Sequence, residues 1–166
     1  SREFFQKSRS LNPDNFIIRY FLAEIALKQY SYPEAIEGYE RCLFYNPYFW
    51  PAHLRLAIIS EQGNKLEKAK LHYQKAISLN PDSSFIHYKL GLIYIQENDS
   101  RAIEEFKQVV RLEPKDGAGH NNLAILYASL EKPNVELAIR HLEEAKRCGY
   151  KVEKQVEDYV RSLNAK

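Results

Sequence analysis

The sequence contains no methionine, two cysteines and one tryptophan among its 166 residues. Cys42 and Cys148 are too few and too far apart for a disulfide framework, so we expect reduced thiols and a cytoplasmic protein. Apolar runs fall short of the ~20 residues that span a bilayer. With 24 basic and 22 acidic residues, the chain has no global attraction to nucleic acid or anionic membranes.

Motifs of enzymes are lacking as well. The sequence has no GxSxG, HExxH or P-loop pattern. The glycine-containing run Gly117–His120 opens a predicted helix and has no strand before it. Cys148 follows a basic residue, Arg147, but no histidine is placed to activate it. We therefore predict a protein that is not an enzyme and that has no cofactor and no metal.

What the sequence does contain is a repeat of about 34 residues. Asn-Pro or Glu-Pro closes each unit, and the prolines are 34, 34 and 33 residues apart, at Pro13, Pro47, Pro81 and Pro114. A leucine and a small residue follow nine and ten positions later, at Leu22-Ala23, Leu56-Ala57, Leu90-Gly91 and Leu123-Ala124. An aromatic residue stands eight positions before each proline, at Phe5, Tyr39, Tyr73 and Phe106. A fixed period closed by proline predicts stacked helical hairpins.

These positions resemble the tetratricopeptide repeat (TPR), and the resemblance covers nearly the whole chain. It implies an all-α, right-handed solenoid of antiparallel helix hairpins. It also implies a non-catalytic scaffold that binds another protein, with no nucleic acid partner and no membrane span.

The repeat register gives the expected domain organisation. We expect one TPR domain over residues 1–166, with a partial repeat at 1–14. Four full repeats follow at about 15–48, 49–82, 83–115 and 116–149, and a capping helix at 151–164. The capping helix has one apolar stripe, formed by Val152, Val156, Tyr159, Val160 and Leu163. Because the first repeat lacks a helix and the chain lacks methionine, we expect a fragment of a larger protein.

Three histidines recur six residues after a repeat proline, at His53, His87 and His120. Equivalent residues of successive repeats are too far apart to share a metal, whose ligands lie ~2 Å from it. We therefore predict a packed histidine ladder, with pH sensing as the alternative. We expect His72 and His141, on second helices, to be solvated.

In the family, the first helices of the hairpins line a concave groove that binds the partner. By register, this face begins at Ile17 and Phe21 and includes Phe85. The residues assigned to the binding site are Tyr20, Glu24, Leu54, Arg55, Ile58, Tyr88, Lys89, Leu92, Asn121 and Asn122. Lysine and asparagine, which clamp acidic chaperone tails in some members, are missing from the clamp positions. The face is instead mainly apolar, which suits a protein or peptide with apolar anchors. Packing between repeats is the alternative role for each residue.

A second candidate site lies where the first full repeat meets the second. Five aromatic residues occur within the seven positions 44–50. Tyr48, Phe49 and Trp50 are difficult to bury together. They either pack across the junction or form a docking patch for a missing domain or a second copy.

Two other functions stay open at this point. The segment Cys42–His53 resembles the repeats appended to some bacterial chemotaxis-receptor methyltransferases, so the chain is alternatively a regulatory appendage of a signalling enzyme. A third alternative is a self-assembling structural scaffold, with self-association through the edge of the N-terminal repeat.

Overall fold

The computed structural model describes residues 15–164, which form nine helices and no strand. The helices are α1 (Phe16–Lys28), α2 (Tyr32–Tyr45), α3 (Trp50–Gln62), α4 (Leu66–Leu79), α5 (Ser84–Gln96), α6 (Arg101–Leu112), α7 (Gly117–Ala128), α8 (Val135–Arg147) and α9 (Lys154–Leu163). The predicted partial repeat at 1–14 lies outside the described residues.

The helices pair into four hairpins, as the repeat predicts. Helix α1 packs on α2, α3 on α4, α5 on α6, and α7 on α8. Pro33 and Pro51 each stand in the first turn of a helix, where a missing backbone N–H costs no hydrogen bond. The predicted all-α fold of repeated helical hairpins is confirmed.

The hairpins are grouped into two compact units, one ending at Pro81 and the other beginning at Asp82. We call them the N-terminal unit (α1–α4) and the C-terminal unit (α5–α9). Tyr39, Leu56 and Tyr73 are among the fully buried side chains of the first, and Phe106 and Leu123 of the second. The single domain over residues 1–166 and its repeat bounds stay predictions.

Small residues allow the two helices of a hairpin to approach closely. A Cβ atom added to Gly38 would lie 2.8 Å from the Cβ of Ala23, and one added to Gly91 would lie 2.7 Å from the ring of Phe106. Contacts this short require a small residue on at least one helix. This explains why a small residue follows the repeated leucine.

The turn inside each of the first three hairpins has the same backbone geometry. Tyr30, Asn64 and Asn98 occupy the equivalent position with φ angles of 59°, 55° and 53°. Asparagine tolerates this left-handed region, whereas a bulky side chain such as tyrosine is strained there. The turn therefore imposes its geometry even where the residue is unfavourable.

Helix α9 is the predicted cap, and it packs against α7 and α8. Val160 is fully buried in the core of the C-terminal unit. The Tyr159 hydroxyl donates to the carbonyl of Ala128 at 3.2 Å, and the Lys146 ammonium lies 2.7 Å from the Glu157 carboxylate. The apolar stripe and these polar contacts together hold the last helix on its unit.

Candidate protein-binding surfaces

An ion pair joins the two first helices of the N-terminal unit. Arg55 on α3 donates from Nε and Nη2 to the two carboxylate oxygens of Glu24 on α1, at 2.7 and 2.9 Å. The Tyr39 hydroxyl donates to the same carboxylate at 2.5 Å. Burial is the main reason that the pKa of Tyr39 is raised, with the bond to Glu24 acting in the same direction. Both charged groups are therefore occupied within the protein.

Tyr20 packs beside this ion pair in the N-terminal unit. Its ring meets Phe49 edge-on, with centroids 5.2 Å apart, and lies 5.6 Å from the Tyr39 ring. Phe16 also packs on Phe49, with centroids 5.3 Å apart. Three of the residues assigned to the groove, Tyr20, Glu24 and Arg55, thus form one linked cluster, while Leu54 and Ile58 are half-buried on α3.

The exposed residues of α1 form a separate apolar stripe. Ile17, Phe21 and Ile25 follow each other at intervals of four, and the side chain of Phe21 is 60% exposed. Residues four apart lie on one face of a helix. Ile17 and Phe21 belong to the face that the repeat register predicts, although they are not among the ten residues assigned to the site.

The aromatic residues of the predicted second patch separate in the structure. Phe49 packs inside the N-terminal unit and Trp50 is half-buried at the start of α3. Tyr48 is 78% exposed and Phe44, at the end of α2, is 80% exposed. Phe44 also packs edge-on against Tyr45, with ring centroids 5.2 Å apart. The exposed aromatic surface is therefore Phe44 and Tyr48 rather than the three consecutive residues.

In the C-terminal unit, some of the residues of the predicted face on α5 are packed and others are exposed. The ring of Tyr88 stands perpendicular to that of Phe106, 5.5 Å away, and Leu92 packs against the same buried cluster. Phe85 is an exposed aromatic residue, and the Lys89 ammonium lies over its ring at 5.8 Å. Phe85 is therefore an exposed member of this face that a partner can reach.

The two asparagines of α7 differ in their hydrogen bonding. The Asn122 side chain donates to the carbonyl of Ala118 at 3.0 Å. Asn121 is buried, and among the described residues its Oδ1 is a buried side-chain oxygen without a hydrogen-bond partner. A buried acceptor without a hydrogen bond typically costs ~1–3 kcal/mol of folding free energy. Asn121 Oδ1 is such an acceptor.

Histidines link the two helices within three hairpins. The Nδ1 atoms of His53 and His72 are 3.1 Å apart, and those of His120 and His141 are 2.9 Å apart. His87 Nδ1 lies 2.7 Å from the carboxylate of Glu105 in the middle hairpin. The expectation that His72 and His141 are solvated is wrong, because their helical position faces the histidine of the first helix.

The hydrogen bonds define the tautomers of the two histidine pairs. His53 Nε2 and His120 Nε2 contact the carbonyls of Pro47 and Pro114 at 3.1 and 3.2 Å. A carbonyl only accepts, so Nε2 carries the proton and Nδ1 accepts from the second histidine. Burial lowers the pKa of His72 and of His141 to about 4. His72 and His141 are therefore neutral near pH 7, and each pair links the two helices of its hairpin.

Residues 15–164 lack two further features. Within that range, no three histidine, cysteine, aspartate or glutamate side chains come together in a way that could hold a metal. None of the helices has the length and apolar character needed to cross a bilayer. Cys42 is buried in the N-terminal unit, and burial raises the pKa of its thiol to about 11.

Comparison with known proteins agrees with the repeat. A family model for the TPR repeat matches residues 61–98, and a second, for the tetratricopeptide repeat, matches residues 86–116. Both matches are to tetratricopeptide repeats, and together they cover residues 61–116. The Photosystem I assembly protein Ycf3 of Rippkaea orientalis (strain PCC 8801 / RF-1) is 28% identical over 125 residues. This match covers 72% of the chain and 66% of Ycf3, so it spans just under two thirds of the relative's length.

Solved structures of TPR proteins share the fold. MamA superposes with a TM-score of 0.73 at 20% identity, covering 87% of this chain and 84% of MamA. YrrB, described as a TPR protein with an unusual peptide-binding site, gives a TM-score of 0.71 at 18% identity, covering 99% of this chain and 81% of YrrB. At these identities the likeness shows the fold, which is the predicted repeat solenoid.

Proposed function

We propose that this TPR chain is a non-catalytic scaffold that binds a protein partner through the first helices of its repeats. The observation that carries the proposal is the exposure of large apolar side chains on α1 and α5. Phe21 and Phe85 are 60% and 47% exposed, and Ile17 is exposed beside Phe21. Large apolar groups that gather on one helix face are typical of interaction sites.

The exposed residues that a partner can contact indicate the chemistry of that partner. On α1, Ile17, Phe21 and Ile25 offer an apolar stripe one helix long. On α5, Phe85 offers an exposed aromatic ring that suits an apolar side chain, and the Lys89 ammonium lies over this ring. An extended segment or an amphipathic helix with apolar anchors fits these features.

The compared proteins support the same class of function. Ycf3 is named as an assembly protein, and YrrB is described as having a peptide-binding site. We propose that this chain likewise holds a protein partner, in the cytoplasm, during assembly of a larger complex. A tetratricopeptide scaffold needs no catalytic residues for this role.

The test replaces exposed residues of the first helices and leaves the packed ones intact. Tyr88 is unsuitable because its ring packs on Phe106. The informative variants are Phe21→Ser and the double variant Phe85→Ser with Lys89→Glu. Leu71→Ser is the matched control, since Leu71 is also exposed but lies on a second helix, α4.

Partners are captured from the lysate of the source organism and identified by quantitative mass spectrometry, and the affinity of each is measured with purified protein. We expect a loss of at least ~10-fold in the first-helix variants, since anchor residues dominate binding energy. The control should bind like the original chain. A partner that binds all variants equally well would contradict the proposal.

The apolar stripe on α1 also favours a second candidate function, self-assembly through the edge of the N-terminal repeat. Light scattering over a range of protein concentrations tests it directly. Oligomers that dissociate in Phe21→Ser, but persist in Leu71→Ser, would support a self-assembling scaffold. The hypothesis of an enzyme appendage is tested by the gene sequence upstream of Ser1, where a methyl-donor-binding fold would support it.

A further inference from the structure

A cavity of about 350 Å³ opens in the N-terminal unit between α2 and the hairpin formed by α3 and α4. Its apolar lining comes from Ile36 on α2 and from Leu56 and Ile59 on α3. Ser60 lies in the wall and is almost fully buried. The volume is at the lower end of the ~300–1,000 Å³ of ligand sites, which suits one large side chain rather than a long ligand.

The repeat register relates Ser60, in the wall of this cavity, to residues of the other hairpins. Residues Ala26, Ser60, Tyr94 and Tyr127 occupy the same position in the four hairpins, at intervals of 34, 34 and 33. In the C-terminal unit, Tyr127 is buried in the core, and its ring stacks on that of His141 with centroids 5.7 Å apart. Serine stands at the same position in α3, so the N-terminal unit has no aromatic ring there.

The surrounding residues correspond between the two units as well. Ile103 is the equivalent of Ile36 and packs against the cluster that contains Tyr127. Leu123 is the equivalent of Leu56 and belongs to that cluster. The core of the C-terminal unit thus includes a tyrosine at the register position where the N-terminal unit has Ser60.

Polar groups at the mouth of the cavity give it a positive character. Lys65, in the turn between α3 and α4, and Lys68, on α4, both line it, together with Tyr32 at the start of α2. Lys68 lies 3.4 Å from Glu40 in a pair that is about half exposed. Such exposed pairs are weak and exchange readily, so both ammonium groups remain accessible to an incoming carboxylate.

We propose that this cavity is an anchor pocket for an aromatic side chain of a partner protein, in a segment where an acidic residue flanks the aromatic one. The ring contacts Ile36, Leu56 and Ile59, and the flanking carboxylate meets Lys65. The aromatic ring replaces the tyrosine that Ser60 lacks. This site goes beyond the proposed function, because it uses none of the exposed first-helix residues Phe21, Phe85 and Lys89.

The direct test uses a defined peptide and the whole chain labelled with ¹⁵N. Acetyl-Glu-Tyr-Glu-amide is titrated while backbone amide shifts are followed by NMR. We expect saturable shifts that centre on the end of α3 and the turn that contains Lys65. Acetyl-Glu-Ala-Glu-amide, which lacks the ring, and acetyl-Lys-Tyr-Lys-amide, which reverses the charge, should each bind several-fold more weakly.

Two variants separate pocket binding from adventitious contact. Ser60→Tyr adds a ring to the wall of the cavity, and it should abolish the saturable shifts while circular dichroism stays unchanged. Ser60→Ala is its matched control and should bind the peptide like the original chain. Lys65→Glu changes only an exposed turn residue, and it should lower the affinity several-fold and favour the lysine-flanked peptide.

Three outcomes would overturn the proposal. They are an absence of saturable shifts, undiminished binding by a folded Ser60→Tyr variant, and equal affinity of the glutamate- and lysine-flanked peptides. If Ser60→Tyr does not fold, Lys65→Glu decides the question. The double variant Phe85→Ser with Lys89→Glu should bind the peptide normally, so failure of this site is distinguishable from failure of the first-helix surface.

Discussion

The two units of the molecule differ in how far their aromatic side chains are exposed to solvent. In the N-terminal unit, Phe21, Tyr30, Phe44 and Tyr48 are each between 60% and 81% exposed. Every described aromatic side chain of the C-terminal unit is less than half exposed, and Tyr94, Phe106 and Tyr127 are buried. The hairpins need only a few fixed leucine, small and aromatic positions to pack. The remaining positions are free to diverge, and in the N-terminal unit they leave four large aromatic side chains at the surface.

A second difference concerns how the first helices of each unit are joined. The N-terminal unit uses the Glu24–Arg55 ion pair, which also holds the Tyr39 hydroxyl. Leu92 and Asn122 occupy the equivalent positions in the C-terminal unit, where no such pair forms. The C-terminal unit instead carries α9 as a cap. An ion pair thus joins the first helices of one unit, whereas an additional helix packs on the last hairpin of the other.

Of the changes that test this comparison, removal of α9 should cause the largest loss of stability. Deleting residues 151–166 exposes the core that Val160 completes, and we expect aggregation or a fall in melting temperature of roughly 10 °C or more. The transition is followed by circular dichroism and by the fluorescence of Trp50, the single tryptophan, which reports on the N-terminal unit. A truncated chain that is monomeric and equally stable would contradict the capping role of α9.

Glu24→Ala should destabilise the N-terminal unit because it removes the Glu24–Arg55 ion pair. The change leaves the half-buried Arg55 guanidinium and the Tyr39 hydroxyl without their acceptor, at a cost of about 2–3 kcal/mol. The free energy of unfolding is measured by urea titration. Leu92→Ala at the equivalent position removes only apolar packing, and combining Glu24→Ala with Arg55→Ala should recover part of the loss. Strictly additive effects would mean that the pair contributes nothing.

Acidification should weaken both units at their histidine pairs. Burial lowers the folded-state pKa of His72 and His141 to about 4, below the unfolded value of about 6.5. The unfolded chain therefore binds more protons in this range, and stability that is complete above pH 6.5 declines as the pH falls towards 4. Because the rings are only half-buried, we expect about 1 kcal/mol per pair. Melting temperatures at pH 7.5 and 5 measure the effect.

A variant in each unit locates this pH dependence. His72→Gln and His141→Gln should each reduce the difference in melting temperature between pH 7.5 and pH 5. Gln74→Ala on the same helix as His72 is the control and should leave the difference unchanged. A pH response that both histidine variants retain in full would assign it to other groups.

The smallest expected effect is a stabilisation at Tyr30. This residue adopts φ 59°, whereas asparagine stands at the equivalent turn positions Asn64 and Asn98. Tyr30→Asn should raise the free energy of unfolding by about 0.5–1 kcal/mol, since asparagine accepts this conformation with less strain. The midpoint of a urea titration measures it. Tyr32→Asn, at a nearby position without positive φ, should not stabilise.

The sequence by itself determined the helical repeat. The prolines, the leucine–small pairs and the repeated aromatic residues act within one hairpin, where residues close in sequence meet. The starts of α2 and α3 at Pro33 and Pro51, and the close approach at Gly91, follow from such local rules. Most described helix limits could therefore be predicted to within a few residues.

The tertiary structure decided what each candidate residue does. Glu24 and Arg55 are 31 residues apart, and His53 and His72 are 19 apart, so the sequence placed them on faces without showing that they meet. Nothing local distinguishes Phe49, which packs on Tyr20, from Tyr48, which is exposed. The cavity beside Ser60 arises because side chains from three helices leave space together. A repeat period fixes where a residue stands, whereas contact and burial depend on the neighbours that the fold brings to it.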